Sequence, residues 1–154
     1  YHGKENVGLI WRKIYPEERQ AYHANMSIDD EWKGQGFGKK LSLSHLGVYQ
    51  KTGIEKSGVY AVDEGGSFWA HLGYLPDKIG WDEIKTAVRD KLGLFDLATQ
   101  NSVNNILKSN DPRAIWDLAD HPAGRKLLTG VPWRGIFDIT NPEQVERMNI
   151  NARR

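Results

Sequence analysis

A run of alternating glycines, Lys33-Gly34-Gln35-Gly36-Phe37-Gly38, separates two hydrophobic rhythms and constrains the fold more than any other stretch of the chain. Before it the rhythm has period two, the mark of a strand with one covered face. In Val7 to Ile14, the residues Val7, Leu9, Trp11 and Lys13 alternate with Gly8, Ile10, Arg12 and Ile14. In Tyr22 to Ile28, the residues Tyr22, Ala24, Met26 and Ile28 alternate with His23, Asn25 and Ser27. Pro16-Glu17-Glu18-Arg19 between them reads as a hairpin turn. After the glycines the spacing becomes helical: Leu41, His45, Val48, Tyr49 and Thr52 share a face that Leu43 and Leu46 widen, and Gly53 supplies a stop. A buried strand is expected over Gly58 to Val62, then a short helix, Phe68 to Leu72, capped by Ser67 and ended by Gly73.

The order strand, strand, glycine loop, helix, strand, helix predicts a mixed α/β (α+β) fold: a central mixed sheet, flanking helices and a helical C-terminal extension. The tail changes character. Helices are expected over Asp82 to Lys91, Ser102 to Lys108, Pro112 to Ala119 and Pro142 to Met148, with one strand over Arg134 to Ile139. Asp111-Pro112, His121-Pro122 and Asn141-Pro142 read as helix starts, because proline lacks an N–H that the first helical position does not need. The expected division is 1–78 for the core and 79–154 for the extension.

Composition narrows the function classes. With 154 residues and 39% apolar content, one domain with a core is within reach. A net charge of +1 gives no broad field for a phosphate backbone, so nucleic acid is not an expected partner. The absence of cysteine removes disulfides, thiolate metal sites and a cysteine nucleophile. The five histidines show no ligand spacing, so no metal is expected. No apolar run is long enough for a membrane helix. The chain begins at Tyr1 rather than Met, which reads as a piece of a larger protein or a processed product.

Glycines let a backbone approach a ligand closely, and a helix N-terminus directs N–H groups and partial positive charge at an anion. A pyrophosphate is the natural guest of such a loop; a plain flexible turn is the competing reading. Two sharper phosphate motifs fail. The P-loop pattern needs glycine at 33 and Ser or Thr at 40, where this chain has Lys33 and Lys40. The dinucleotide fingerprint needs a third glycine three residues after its second, and none stands there.

The loop resembles the acetyl-CoA signature of the Gcn5-related N-acetyltransferases: Gln or Arg, two residues, Gly, one residue, then Gly or Ala. Here it reads Lys33-Gly34-Gln35-Gly36-Phe37-Gly38, departing from the pattern at Lys33. Met26-Ser27-Ile28-Asp29-Asp30-Glu31-Trp32 is similar to the family's approach to its loop. Ser67-Phe68-Trp69-Ala70-His71-Leu72-Gly73-Tyr74 resembles a later segment that ends in Leu-Gly-Phe or Leu-Gly-Tyr. The resemblance covers roughly residues 22 to 75. The family has a strand, two helices and another strand ahead of this hairpin; only about six residues precede Val7, so the acceptor-side helices are expected to be missing from this chain or replaced by the C-terminal helices. The tail resembles segments that follow such cores in large phage virion and mobile-element proteins.

The resemblance implies acetyl-CoA as co-substrate and an amine acceptor: protein, peptide or small molecule. The pantetheine arm would pair with main chain at Met26, Ser27 and Ile28. The pyrophosphate would sit on amides of Lys33, Gly34, Gln35, Gly36, Phe37, Gly38 and Lys39. The acetyl group would pass directly to the amine. Where the family often has a tyrosine acid, this chain has Trp69, whose indole N–H is a very poor acid. Ser67, Tyr60 or water is left to protonate the thiolate. Candidate bases are Glu31, with Asp29 and Asp30 beside it, Asp63 with Glu64, and His23.

Three functions compete. The first is an active cytoplasmic N-acetyltransferase. The second is an inactive CoA-binding or structural domain of a larger phage or multidomain protein, associated with a virion in the phage case. The third is an acetyltransferase acting on charged tRNA, against which the near-neutral charge argues.

Overall fold

A computed structural model describes residues 6–154. It is a mixed α/β fold whose sheet has the strand order β1-β2-β3-β4, with seven α-helices among the described residues. The strands are β1 (Gly8–Tyr15), β2 (Gln20–Ile28), β3 (Lys56–Ala61) and β4 (Trp133–Asp138). The helices are α1 (Phe37–Thr52), α2 (Gly65–His71), α3 (Lys78–Lys91), α4 (Leu97–Leu107), α5 (Ala114–Asp120), α6 (Gly124–Leu128) and α7 (Pro142–Ala152). None of them is long and apolar enough to cross a membrane.

The chain divides into two compact units, residues up to Val59 with Phe137–Arg154, and Tyr60–Ile136. In the first unit β1 and β2 form the antiparallel hairpin, with Arg19 taking the left-handed turn position at φ 53°. β2 then runs through α1 to β3, which pairs with it in parallel. α7 packs on α1. Ala21, Leu46, Tyr49, Ile54, Val59, Phe137 and Met148 are among this unit's buried residues.

The strand rhythm expected for β2 fails at one residue. Trp11 pairs with Asn25 and Arg12 with His23, which leaves Ala24 as an extra residue, a β-bulge. A bulge reverses which side chains face the core beyond it. The inward series is therefore Ala21 and His23, then Met26 and Ile28. The simple alternation of Tyr22, Ala24, Met26 and Ile28 is corrected accordingly.

The face of α1 also differs from the expected one. Its buried residues are Gly38, Ser42, His45, Leu46 and Tyr49. Val48 is 47% exposed and Thr52 is exposed. His45, Leu46 and Tyr49 stand on the buried face as expected, and the stripe turns toward Gly38 and Ser42, a small and a polar residue that a hydrophobic count passes over.

In the second unit α2 packs on α5 and α6, α4 on α5, and α3 on α6. Trp81, Ile84, Val88, Val103, Leu107, Ile115, Leu118, Leu127 and Leu128 form an apolar interior. Tryptophan suits such an interior only when its N–H finds an acceptor. Trp81 Nε1 donates to the Ser109 oxygen at 2.9 Å, and Trp133 Nε1 to the Gly66 oxygen at 3.1 Å. Two capping expectations are corrected. Ser67 lies inside α2, which starts two residues earlier. α5 and α6 start at Ala114 and Gly124, so Pro112 and Pro122 belong to the turns before them. Pro142 does open α7, where Asn141 accepts from the Glu143 N–H.

Candidate functional site

The glycine loop and its flanks lie together in the first unit. Asp30–Trp32 makes one 3-10 turn after β2, and the chain then corners through Gly34 at φ 78° and Gly36 at φ 82° into α1. Both angles lie in the left-handed region that favours glycine. A Cβ at either position would meet nothing within 4 Å, so the requirement is conformational and the surrounding space is open. Gly36 is the N-cap of α1 and no side chain caps the helix. A helix of 16 residues presents its first-turn N–H groups and the positive end of its dipole at this corner.

Side chains brace the loop. Gln35 Nε2 donates to the Glu31 carbonyl at 3.0 Å. Trp32 and Phe37 meet edge to face at 5.8 Å, and the Lys40 ammonium stands over the Phe37 ring. Lys33 Nζ lies 2.7 Å from Asp30 Oδ1, a hydrogen bond that holds the Asp30 carboxyl below its usual range.

Met26, Ser27 and Ile28 pair with Ile10, Leu9 and Gly8 on one side. β2 pairs with β3 only over Gln20–His23. Beyond the bulge, from Ala24 to Ile28, the other edge of β2 makes no ladder pair among the described residues.

Glu31 is exposed and stands with the loop in the first unit. Asp63 and Ser67 belong to the second. Asp63 is exposed at φ 49°, and its carbonyl accepts the Gly130 N–H at 3.0 Å. Ser67 is half-buried on α2, and Trp69, two residues on, is 6% exposed.

Inside the first unit lies a polar cluster that hydrophobic patterning did not assemble. His23 Nε2 and Tyr49 Oη are 2.8 Å apart. The His23 and His45 rings meet edge to face at 5.3 Å. Burial, the neighbouring His45 and Arg12 lower the His23 pKa from 6.5 to about 4. Burial and Arg12 lower that of His45 to about 4. Burial pushes the Tyr49 phenol up, against the hydrogen bond and charge of Arg12. Donor and acceptor roles between the Tyr49 hydroxyl and His23 Nε2 follow the imidazole tautomer. His23, at 5% exposure and with this low pKa, is a poor base for a solvent-borne acceptor. The signal available in the sequence was His45 and Tyr49, four residues apart on one helix face, opposite an inward His23.

In the second unit Ser102 Oγ and His121 Nε2 lie 2.7 Å apart, the spacing of a nucleophile and its base. The polarity is reversed. His121 Nδ1 accepts the Ala123 N–H at 3.0 Å, so Nε2 carries the proton and donates it. Ser102 in turn donates to the Thr99 carbonyl. The pair fastens α4 to the turn before α6. Among the described residues no three His, Asp or Glu side chains gather to hold a metal ion.

Comparison with known proteins finds no family model, no curated protein and no solved structure that matches this chain.

Proposed function

We propose that the chain binds acetyl-CoA on the loop 33–39 and passes the acetyl group to an amine, as a Gcn5-related N-acetyltransferase does. The observation that carries this reading is a strand edge without a ladder partner beyond a bulge, followed in the same unit by a glycine-cornered helix N-terminus. The amides of a pantetheine arm suit the first feature and a pyrophosphate suits the second. Met26, Ser27 and Ile28 hold the arm through main chain. Lys33, Gly34, Gln35, Gly36, Phe37, Gly38 and Lys39 hold the phosphates.

The amine nitrogen attacks the thioester carbonyl, the C–S bond breaks, and CoA leaves as a thiolate. Glu31, in the same unit as the loop, takes the ammonium proton, and water protonates the thiolate. Acetyl-CoA is a cytoplasmic metabolite, and the cytoplasm is the compartment that this reading assigns.

A second reading is an inactive CoA-binding or structural domain of a larger phage or multidomain protein. It is favoured by Trp69, a buried indole where the family carries its acid. Calorimetry with acetyl-CoA on the protein and on Gly36→Trp tests the donor site. A Cβ at Gly36 meets nothing within 4 Å but is strained at φ 82°, so far-UV circular dichroism of the variant accompanies the calorimetry. Binding by the parent that is lost in the variant is the expected result. No binding by the parent overturns both readings that involve CoA. Binding without product on any amine leaves the second.

A further inference from the structure

The polar cluster joins the two parts of the first unit on which the proposed donor site depends. His23 stands on β2 one residue before the bulge, and Met26 to Ile28 follow it. His45 and Tyr49 stand on α1, whose N-terminus carries the glycine corner. The Tyr49–His23 hydrogen bond therefore ties the bulged strand to the helix that bears the loop.

We propose that this tie is an acid-sensitive latch: protonating His23 and His45 releases α1 from β2 and loosens the loop before the chain unfolds. An imidazolium donates at both nitrogens, so a protonated His23 can no longer accept the phenol hydrogen at Nε2. The charge is also buried, since His23 is 5% exposed and His45 7%. A cation held inside such a cluster is unfavourable.

Charge acts in the same direction. Arg12 is the register partner of His23 on β1, so their side chains share a face. A second imidazolium on His45, with ring centres 5.3 Å apart, would place three cations together. The buried residues of the packed elements bring no carboxylate. Those of β3 in this unit are Ser57 and Val59. Those of α7 are Gln144, Met148, Asn151 and Ala152. His45 Nδ1 is buried and has no hydrogen-bond partner among the described residues that would share a proton.

The latch rests on the proposed donor site only for its consequence, so its test has one arm that needs no donor. In an NMR titration from pH 7 to pH 4, the amide signals of Gly34, Gly36 and Gly38 should move with the His23 and His45 ring signals. They should do so at a higher pH than the loss of far-UV circular dichroism. In His23→Gln/His45→Gln the amide introduced on β2 offers Tyr49 both a donor and an acceptor and neither site titrates, so the loop signals should hold until global unfolding. If the double variant does not fold, Tyr49→Phe decides. It removes the tie, and its loop signals at pH 7 should match the parent's acid form. Loop signals that move only with global unfolding, or that move alike in parent and variants, overturn the latch.

The second arm is acetyl-CoA calorimetry. Affinity scales with the latched fraction, so it should weaken by about tenfold in the parent once nine-tenths of the loop has moved. At the same pH it should change by less than about twofold in the double variant. Absence of binding at pH 7 in every protein defeats the donor assignment and leaves the NMR arm to decide the latch.

Discussion

Trp133 Nε1 donates to the Gly66 backbone oxygen at 3.1 Å, tying the first residue of β4 to α2 within the second unit. Gly66 fits there because a Cβ would run into the backbone oxygen of Leu128. Trp133→Phe should cost about 1–2 kcal/mol, since it leaves a buried carbonyl without its donor. Gly66→Ala should cost about 2 kcal/mol or more, because the obstacle is main chain and yields only if α6 shifts. Urea unfolding measures both, and a Gly66→Ala protein as stable as the parent would contradict the packing described for α2.

The two buried histidines make stability depend on pH. Unfolded, each takes a proton near 6.5; folded, only near 4. Between those values the unfolded chain binds more protons, so stability is full above about pH 6.5 and declines as the pH falls toward 4. The loss should be about 1–3 kcal/mol per histidine, reduced from the full shift by solvent relaxation. His23→Gln/His45→Gln should flatten this limb of the stability curve. An unchanged acid limb in that variant would place the dependence on other groups.

Gly36→Ala isolates backbone strain from bulk. The added methyl meets nothing within 4 Å, while φ stays at 82°. The expected loss is about 1 kcal/mol, the cost of the left-handed conformation for a residue with a Cβ. Thermal unfolding checks it, and a loss several times larger would mean that the corner carries packing as well as a turn.

Asp63 carries a side chain at φ 49°. Asp63→Gly removes that strain and should leave the protein as stable or more stable by about 0.5–1 kcal/mol. Thermal unfolding measures it, and a clear loss of stability would mean that the Asp63 side chain makes a contact that outweighs the strain.

Much of the first unit could be read locally. The position of β1, the turn at Pro16–Glu18, the cornering glycines and the stop at Gly53 each express a preference of a few neighbouring residues, whereas the covered face expected for β1 does not appear, since Leu9, Trp11 and Arg12 to Tyr15 are exposed. α5 and α6 were harder, because each is short and starts after its proline rather than on it. The loop was legible because glycine spacing is a local pattern. The cluster of Arg12, His23, His45 and Tyr49 was not, because its members come from three elements and only a bulge at Ala24 sets their phase.

The sequence alone determined where strand gives way to helix, and that the corner between them must be glycine, because backbone sterics and hydrophobic period act over a few residues. Tertiary structure alone decided that Met26 rather than Asn25 follows His23 on the inner face, and that the buried stripe of α1 takes in Ser42 and leaves Val48 exposed. It also decided that pairing of β2 with β3 ends at His23. Those outcomes depend on register between segments distant in the chain, and register is set by packing free energy, which no local pattern contains.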